Sequence, residues 1–210
     1  MRELILEMLI SIDGFVGAAD GGIKWVFDSD PEATTWTVAT VSNASLHIMG
    51  TRTFHDMAAY WPTSTEVYAP PMNQIPKAVF SRQGSAIRKA VDTTAALKDV
   101  RAHAGTCPST KPQSGADSWA EAYVASGDLV DEVTKLKAQD GKPILAHGGV
   151  TFARSLIAHG LVDRYALLMH PVALGKGLPV FSDLVAPRPL KLVSSKAFPA
   201  GSVAQIYRPA

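Results

Sequence analysis

Short apolar runs alternate with capped, amphipathic segments along this 210-residue chain, and a repeated strand-then-helix order leaves few folds open to it. Leu4 to Ile10 has the length of a buried strand, and Asp13-Gly14 and Asp20-Gly21-Gly22 supply turn chemistry behind it, so a long glycine-containing loop should follow. Asp30 can cap a helix with Pro31 at its first position, and Trp36, Val38, Ala39 and Val41 give that helix an apolar side. Leu46 to Met49 reads as the second strand, Gly50 as a sharp turn, Thr51 to Tyr60 as a short helix and Lys77 to Phe80 as the third strand. The order then resumes with Trp119 to Ala125 (strand), Asp128 to Ala138 (helix), Pro143 to His147 (strand), Val150 to His159 (helix) and Arg164 to His170 (strand). The helix from Asp128 has Asp131 and Glu132 near its start and Lys135 and Lys137 near its end, as its dipole favours, and the next helix stops at Gly160. Leu190 to Phe198 and Val203 to Tyr207 follow without a helix, joined through Pro199-Ala200-Gly201 as an antiparallel hairpin.

This pattern predicts an α/β fold: a mostly parallel sheet of about eight strands, helices on both faces, and a C-terminal hairpin that makes the sheet mixed. The length suits a single domain spanning residues 1–210. Gly84 to Ser118 breaks the rhythm. Asp92 to His103 has the pattern of a short helix, but Gly105 to Ser118 is rich in Pro, Ser, Thr and Gly, so the segment reads as an insertion, either a surface decoration or a substrate lid.

Composition narrows the partners. The longest apolar runs fall far short of the roughly 18 residues of a bilayer span, and Glu7 interrupts the first of them, so neither a membrane segment nor a secretory leader is expected. Cys107 is the single cysteine and has no His or carboxylate beside it in sequence, which suits a reducing cytoplasm. Twenty basic residues against 19 acidic ones, with no dense block of either sign, give no footprint for nucleic acid. Any anion must therefore be recognised locally.

Several chemistries lose support. Neither Gly141-Lys142 nor Gly175-Lys176 has the upstream glycine of a P-loop; no G-x-S-x-G elbow occurs; and the six histidines are too dispersed in sequence for a zinc motif, so no metal is expected. A G-x-G-x-x-G signature fails at Val180. What remains are three turns at strand ends. Met49-Gly50-Thr51-Arg52-Thr53 joins a glycine, a helix start and a fixed charge; Phe80-Ser81-Arg82 offers a hydroxyl and a guanidinium; His147-Gly148-Gly149-Val150-Thr151 is a diglycine turn into a helix. In a parallel sheet all three fall on the carboxyl edge, where open α/β folds bind ligands, and together they suit separated phosphates.

With these landmarks in place, the chain resembles the dihydrofolate reductase-like fold, and most closely the RibD C-terminal reductase domain of bacterial riboflavin-biosynthesis proteins. The resemblance is carried by Ile10 to Gly17, Asp20 to Trp25, Met49 to Thr53, Phe80 to Arg82, Gly148-Gly149 and His170 to Phe181. It implies NADPH as cofactor. Arg52 and Arg82 with Ser81 would meet the 2′-phosphate; Thr53 and the turn His147, Gly148, Gly149, Val150, Thr151 would meet the pyrophosphate, beside Gly50 and Thr51. Val16, Gly17, Asp20, Gly22, Ile23 and Trp25 would border the nicotinamide, and the backbone near Leu9 its carboxamide. Thr51 stands where the family commonly has Arg or Lys, which shifts phosphate recognition towards Arg52 and Arg82.

Hydride addition to a C=N bond needs a proton donor. The sequence offers Asp30, Asp28 and Asp13; by its offset from Trp25 the resemblance implies Asp30 as the catalytic acid, against its plainer reading as an N-cap before Pro31. Asp13 and Lys176 are candidates for the substrate side, against the plainer readings of a turn former and an exposed loop lysine; His147 and His170 either face substrate or are structural. Phe54, Tyr60 and Trp61 read as core or interface packing rather than a stacking platform. The implied activity is NADPH-dependent reduction of a small heterocyclic or ribosylamino substrate, with 5-amino-6-(5-phosphoribosylamino)uracil as the family's candidate. Alternatives are reduction of dihydrofolate or another pterin, and a non-catalytic NADP-binding protein. A homodimer is a family-level expectation.

Overall fold

Strand β1 (Leu4–Ser11) is buried at almost every position instead of alternating, as a strand must be when both faces of its sheet are covered. In the computed structural model, which describes residues 1–27, 31–84, 87, 94–104 and 111–210, β1 is followed by α1 (Pro31–Ser42), β2 (Leu46–Gly50), α2 (Thr51–Ala58), α3 (Ala69–Gln74), β3 (Lys77–Phe80), α4 (Ala95–Ala104), β4 (Tyr123–Ala125), α5 (Leu129–Ala138), β5 (Ile144–His147), α6 (Val150–Ala158), β6 (Arg164–His170), β7 (Leu190–Ala197) and β8 (Val203–Pro209). The eight strands form one sheet in the order β4-β3-β2-β5-β1-β6-β8-β7. The pairs from β4 to β6 are parallel, while β8 pairs antiparallel with β6 and β7.

The pleat sorts the strands' side chains into two cores. Leu4, Leu6, Met8 and Ile10, with Leu46, Ile48, Ala78, Ile144 and Ala146, pack under Val133 and Leu136 of α5 and Phe152, Leu156 and Ile157 of α6. On the opposite face Ile5, Met49, Val79, Leu145 and Ala166 meet Val41 of α1, Phe54 of α2, Met72 of α3, and Trp119. Fully burying a large aliphatic side chain contributes about 1.5–3 kcal/mol, so these layers hold the carboxyl ends of the parallel strands in register. The α/β architecture expected from the alternation, with about eight strands and a terminal hairpin, is the one observed.

Two local readings need correction. Trp119 to Ala125 is not one strand: a 3-10 turn occupies Ala116–Trp119 and the strand is confined to Tyr123–Ala125. The Trp119 indole Nε1 donates to Asn73 Oδ1 at 2.9 Å, and the Lys77 ammonium lies 4.6 Å from its ring centroid, so tertiary contacts pull it off the extended path. The second concerns Gly84 to Ser118. Of this segment α4 is described, and its Leu97 and Asp99 are buried, so this part is built into the molecule rather than laid on its surface. Cys107 and part of the Gly105 to Ser118 stretch lie outside the described residues.

Candidate active site

A cleft of about 1200 Å³ opens along the carboxyl edge of the sheet. One end is built from helix starts. Helices α2 and α6 both begin at glycines, Gly50 and Gly149, and neither N-terminus receives a side-chain cap among the described residues. By contrast α5 is capped within the chain, Asp128 accepting from the backbone N–H groups of Val130 and Asp131. Two helix ends with free N–H groups thus line one cleft, beside the hydroxyls of Thr53 and Thr151. Gly149 is needed at its position: its φ is +65°, and a Cβ there would stand 2.5 Å from Thr53 Oγ1. Arg52 and Arg82 are exposed on the lining, and neither makes an ion pair or hydrogen bond among the described residues. Ser81 is buried, its Oγ accepting from Gln83 N.

A braced loop forms another wall. Ala18 N donates to Gly22 O, Gly22 N to Asp20 Oδ1 at 2.8 Å, and Ile23 N to Asp99 Oδ2 at 2.8 Å. Asp99 belongs to α4, and Phe27 stacks on His103 of the same helix at 4.3 Å. From the other side Val16 N donates to Leu178 O and Leu178 N to Gly17 O, joining this loop to the 174–180 loop. Val16, Asp20 and Ile23 line the cleft, as do Leu9 of β1 and Leu97, Val100 and His103 of α4, the helix packed against this loop.

The third region is an interior floor with buried polar groups. Glu7 of β1 and His147 of β5 are register partners, and Glu7 Oε2 lies 3.8 Å from His147 Nδ1. Burial pushes Glu7 up to about 7 and His147 down to about 4. The His147 ring stands edge-on to His47 at 4.5 Å, and burial lowers His47 as well. Thr34, Thr37, Val41, Tyr68 and Met72 complete this region. At its border Tyr60 OH donates to Glu66 Oε1 at 2.5 Å, and burial together with this bond pushes the phenol up to about 12.

The RibD C-terminal domain model matches residues 2–204 of the chain. The chain belongs to that family. Among its relatives, the uncharacterized Bacillus subtilis protein YyaP is 26% identical over 207 residues, covering 98% of this chain and 94% of YyaP. The fold of this RibD C-terminal domain is shared by the Thermotoga maritima diaminohydroxyphosphoribosylaminopyrimidine deaminase/5-amino-6-(5-phosphoribosylamino)uracil reductase, with a TM-score of 0.66 at 16% identity, covering all of this chain and 57% of that one. It is also shared by the Enterococcus faecalis dihydrofolate reductase complexed with NADP(H) and RAB-propyl, with a TM-score of 0.57 at 12% identity, covering 99% of this chain and 96% of that one.

Within this RibD C-terminal domain, Leu9, Val16, Asp20, Ile23, Gly50, Thr51, Arg52, Thr53, Ser81, Arg82, His147, Gly149, Val150 and Thr151 all line the cleft. Gly17, Gly22 and Gly148 lie behind the lining. Thr51 turns its hydroxyl to Phe80 O, tying α2 to the end of β3. Trp25 is off the cleft, edge-on to His170 at 5.4 Å. His147 presents its ring to Glu7 and His47, away from the helix ends, because its side chain follows the pleat of β5 onto that face.

The substrate-side expectations fare differently. Asp13 accepts from Leu174 N, Gly175 N and Ser11 Oγ, so its carboxylate clamps two loops and does not line the cleft. Lys176 is exposed and also off the lining. Asp28 and Asp30 lie outside the described residues. Phe54 packs in the core, whereas Tyr60 and Trp61 line the cleft. The sequence reading missed Glu7 and the α4 wall. Glu7 carries a readable signal, an acid inside an otherwise apolar strand, while nothing local to Asp99 announces a partner at Ile23.

Proposed function

We propose that this domain is an NADPH-dependent reductase that adds hydride to a C=N bond of a small heterocyclic or ribosylamino substrate. The observation that carries the reading is the pair of helix N-termini, α2 and α6, without side-chain caps among the described residues, opening into one cleft with two exposed arginines, Arg52 and Arg82. The fit to a dinucleotide phosphate is chemical as well as spatial: Gly149 leaves room against Thr53 that a Cβ would fill, and backbone N–H groups there have no competing side-chain acceptor. When bound, the reduced nicotinamide supplies the hydride.

The chain's own residues do the rest. Arg52, Arg82 and Ser81 hold the 2′-phosphate by charge-assisted hydrogen bonds, and the ends of α2 and α6 with Thr53 and Thr151 hold the pyrophosphate. Leu9, Val16, Asp20 and Ile23 form the nicotinamide wall, which Asp99 keeps in place. Leu97, Val100 and Leu168 exclude water from the reacting face, where electrostatic interactions then act at low dielectric. Family membership supports reduction, and the Thermotoga relative's name supports 5-amino-6-(5-phosphoribosylamino)uracil as the first substrate to try. Oxidation of NADPH should be followed with that compound and, separately, with dihydrofolate. Turnover of the phosphoribosylaminouracil supports the assignment; turnover of dihydrofolate alone moves it to pterin reduction; tight NADPH binding with no turnover of either removes both.

A further inference from the structure

We infer that Glu7 is a catalytic residue of this site, the acid whose proton goes to the nitrogen of the substrate's C=N bond as the carbon takes the hydride. The inference rests on the reductase reading above and supplies the donor that reading lacks. Five carboxyl side chains among the described residues line the cleft: Glu7, Asp20, Asp56, Glu66 and Asp128. Four are engaged. Asp20 accepts from Gly22 N, Asp56 from the Thr94 hydroxyl, Glu66 from the Tyr60 hydroxyl, and Asp128 caps α5. Glu7 accepts no hydrogen bond among the described residues, and it is 9% exposed.

Its position suits the chemistry. Glu7 and Leu9 lie two residues apart on β1, so both side chains leave the same face of the sheet about 7 Å apart along the strand, and both line the cleft. Leu9 marks the proposed nicotinamide wall, which places the carboxyl deeper, where a substrate ring stacked on the nicotinamide would end. The floor around it is made by Thr37, Val41, Tyr68 and Met72.

Its neighbours keep the proton on it. From β5, His147 faces Glu7 at 3.8 Å and burial holds the imidazole down at about 4, so it is neutral at pH 7. From the segment before α3, Tyr68 faces it as a phenol raised by its own burial and then by Glu7. Lys77 bears on His147 from further along the row and is itself lowered by burial to about 7. With no full cation against it, the buried carboxyl is raised to about 7, near the value at which an acid both holds its proton and releases it.

The step balances. The hydride carries two electrons from the reduced nicotinamide, which is oxidised, to the substrate carbon. The C=N π pair forms a new N–H bond with the Glu7 proton, leaving C–H and N–H on the product and a carboxylate at Glu7, which regains a proton from water once product leaves.

The test combines infrared titration of the protein with single-turnover reduction of 5-amino-6-(5-phosphoribosylamino)uracil and of dihydrofolate by NADPH. The difference between the unsubstituted protein and Glu7→Gln should show a protonated carboxyl C=O band at pH 6 that fades as pH rises through about 7. Glu7→Gln should slow reduction roughly 100-fold to 10,000-fold, leave NADPH affinity unchanged and abolish the alkaline fall in rate. Glu7→Asp, which retains the acid, should keep that pH limb at a lower rate, and stands in if the Gln variant does not fold. An ionised Glu7 at pH 6, or turnover by Glu7→Gln with the same rate and pH profile, overturns this proposal alone. Failure of the unsubstituted protein to reduce either compound despite a protonated Glu7 overturns the reductase reading, and this proposal with it.

Discussion

In the proposed reading Gly149 and two arginines form the phosphate end of the site, and each should have a measurable share. Gly149→Ala forces an L residue to a φ of +65° and drives a methyl against Thr53 Oγ1; strain of this kind costs about 1–2 kcal/mol. The variant should bind NADPH at least tenfold more weakly in a fluorescence titration while unfolding only a few degrees lower. Arg52→Ala with Arg82→Ala should narrow the preference for NADPH over NADH. Hydrogen bonds to charged groups contribute about 1.5–3 kcal/mol each, so the loss should exceed tenfold for NADPH and be small for NADH; equal losses for both would place the arginines elsewhere. These residues stood out in the sequence because Met49 to Thr53 joins a glycine and an arginine to a helix start, Phe80 to Arg82 ends a strand on a guanidinium, and His147 to Thr151 is a diglycine turn into a helix. Glu7 stood out only as an acid in an apolar run, and such an acid shows its importance only when its neighbours across the sheet are known.

At the scale of elements, α4 is a wall of the cleft and not a surface decoration. Asp99 on α4 accepts from Ile23 N and lies 3.8 Å from Lys24 Nζ, so one carboxylate sets the position of a loop far from it in sequence. Asp99→Ala should leave the unfolding midpoint nearly unchanged, expose residues 17–27 to limited proteolysis, and raise the KM for NADPH more than it lowers kcat. Protection equal to that of the unsubstituted protein would show that α4 does not brace the loop. Strands β1, β2, β3, β5 and β6 were visible in the sequence because buried parallel strands are short apolar runs. Helix α3 was not, because Pro70 and Pro71 at its start read as loop punctuation although proline is well tolerated in a first turn. Trp119 was assigned to a strand because the partners that hold it, Asn73 and Lys77, are more than 40 residues away.

For the whole molecule, the buried Glu7 and His147 make opposite demands on pH. Glu7 is raised from 4.5 to about 7, so its contribution is present below 4.5 and is lost as pH rises through about 7. His147 is lowered from 6.5 to about 4, so its contribution is present above 6.5 and is lost as pH falls through about 4. The two nearly cancel between pH 4.5 and 6.5. Glu7→Gln removes one partner, so its stability should fall by roughly 3 kcal/mol from pH 6.5 to 4 where the unsubstituted protein changes much less; parallel profiles in denaturant titrations would contradict the pairing. We also propose a homodimer of single-domain subunits, which should sediment as one species of twice the chain mass.

The central claim is that the carboxyl edge of the sheet holds a reduced dinucleotide phosphate, and a crystal structure of the protein with NADPH bound tests it most directly. The pyrophosphate should lie between the starts of α2 and α6, the 2′-phosphate on Arg52 and Arg82, and the nicotinamide against Leu9 and Val16 with Glu7 beyond its ring. Nucleotide bound away from these helix ends, or a nicotinamide with its C4 turned from Glu7 towards solvent, would contradict it.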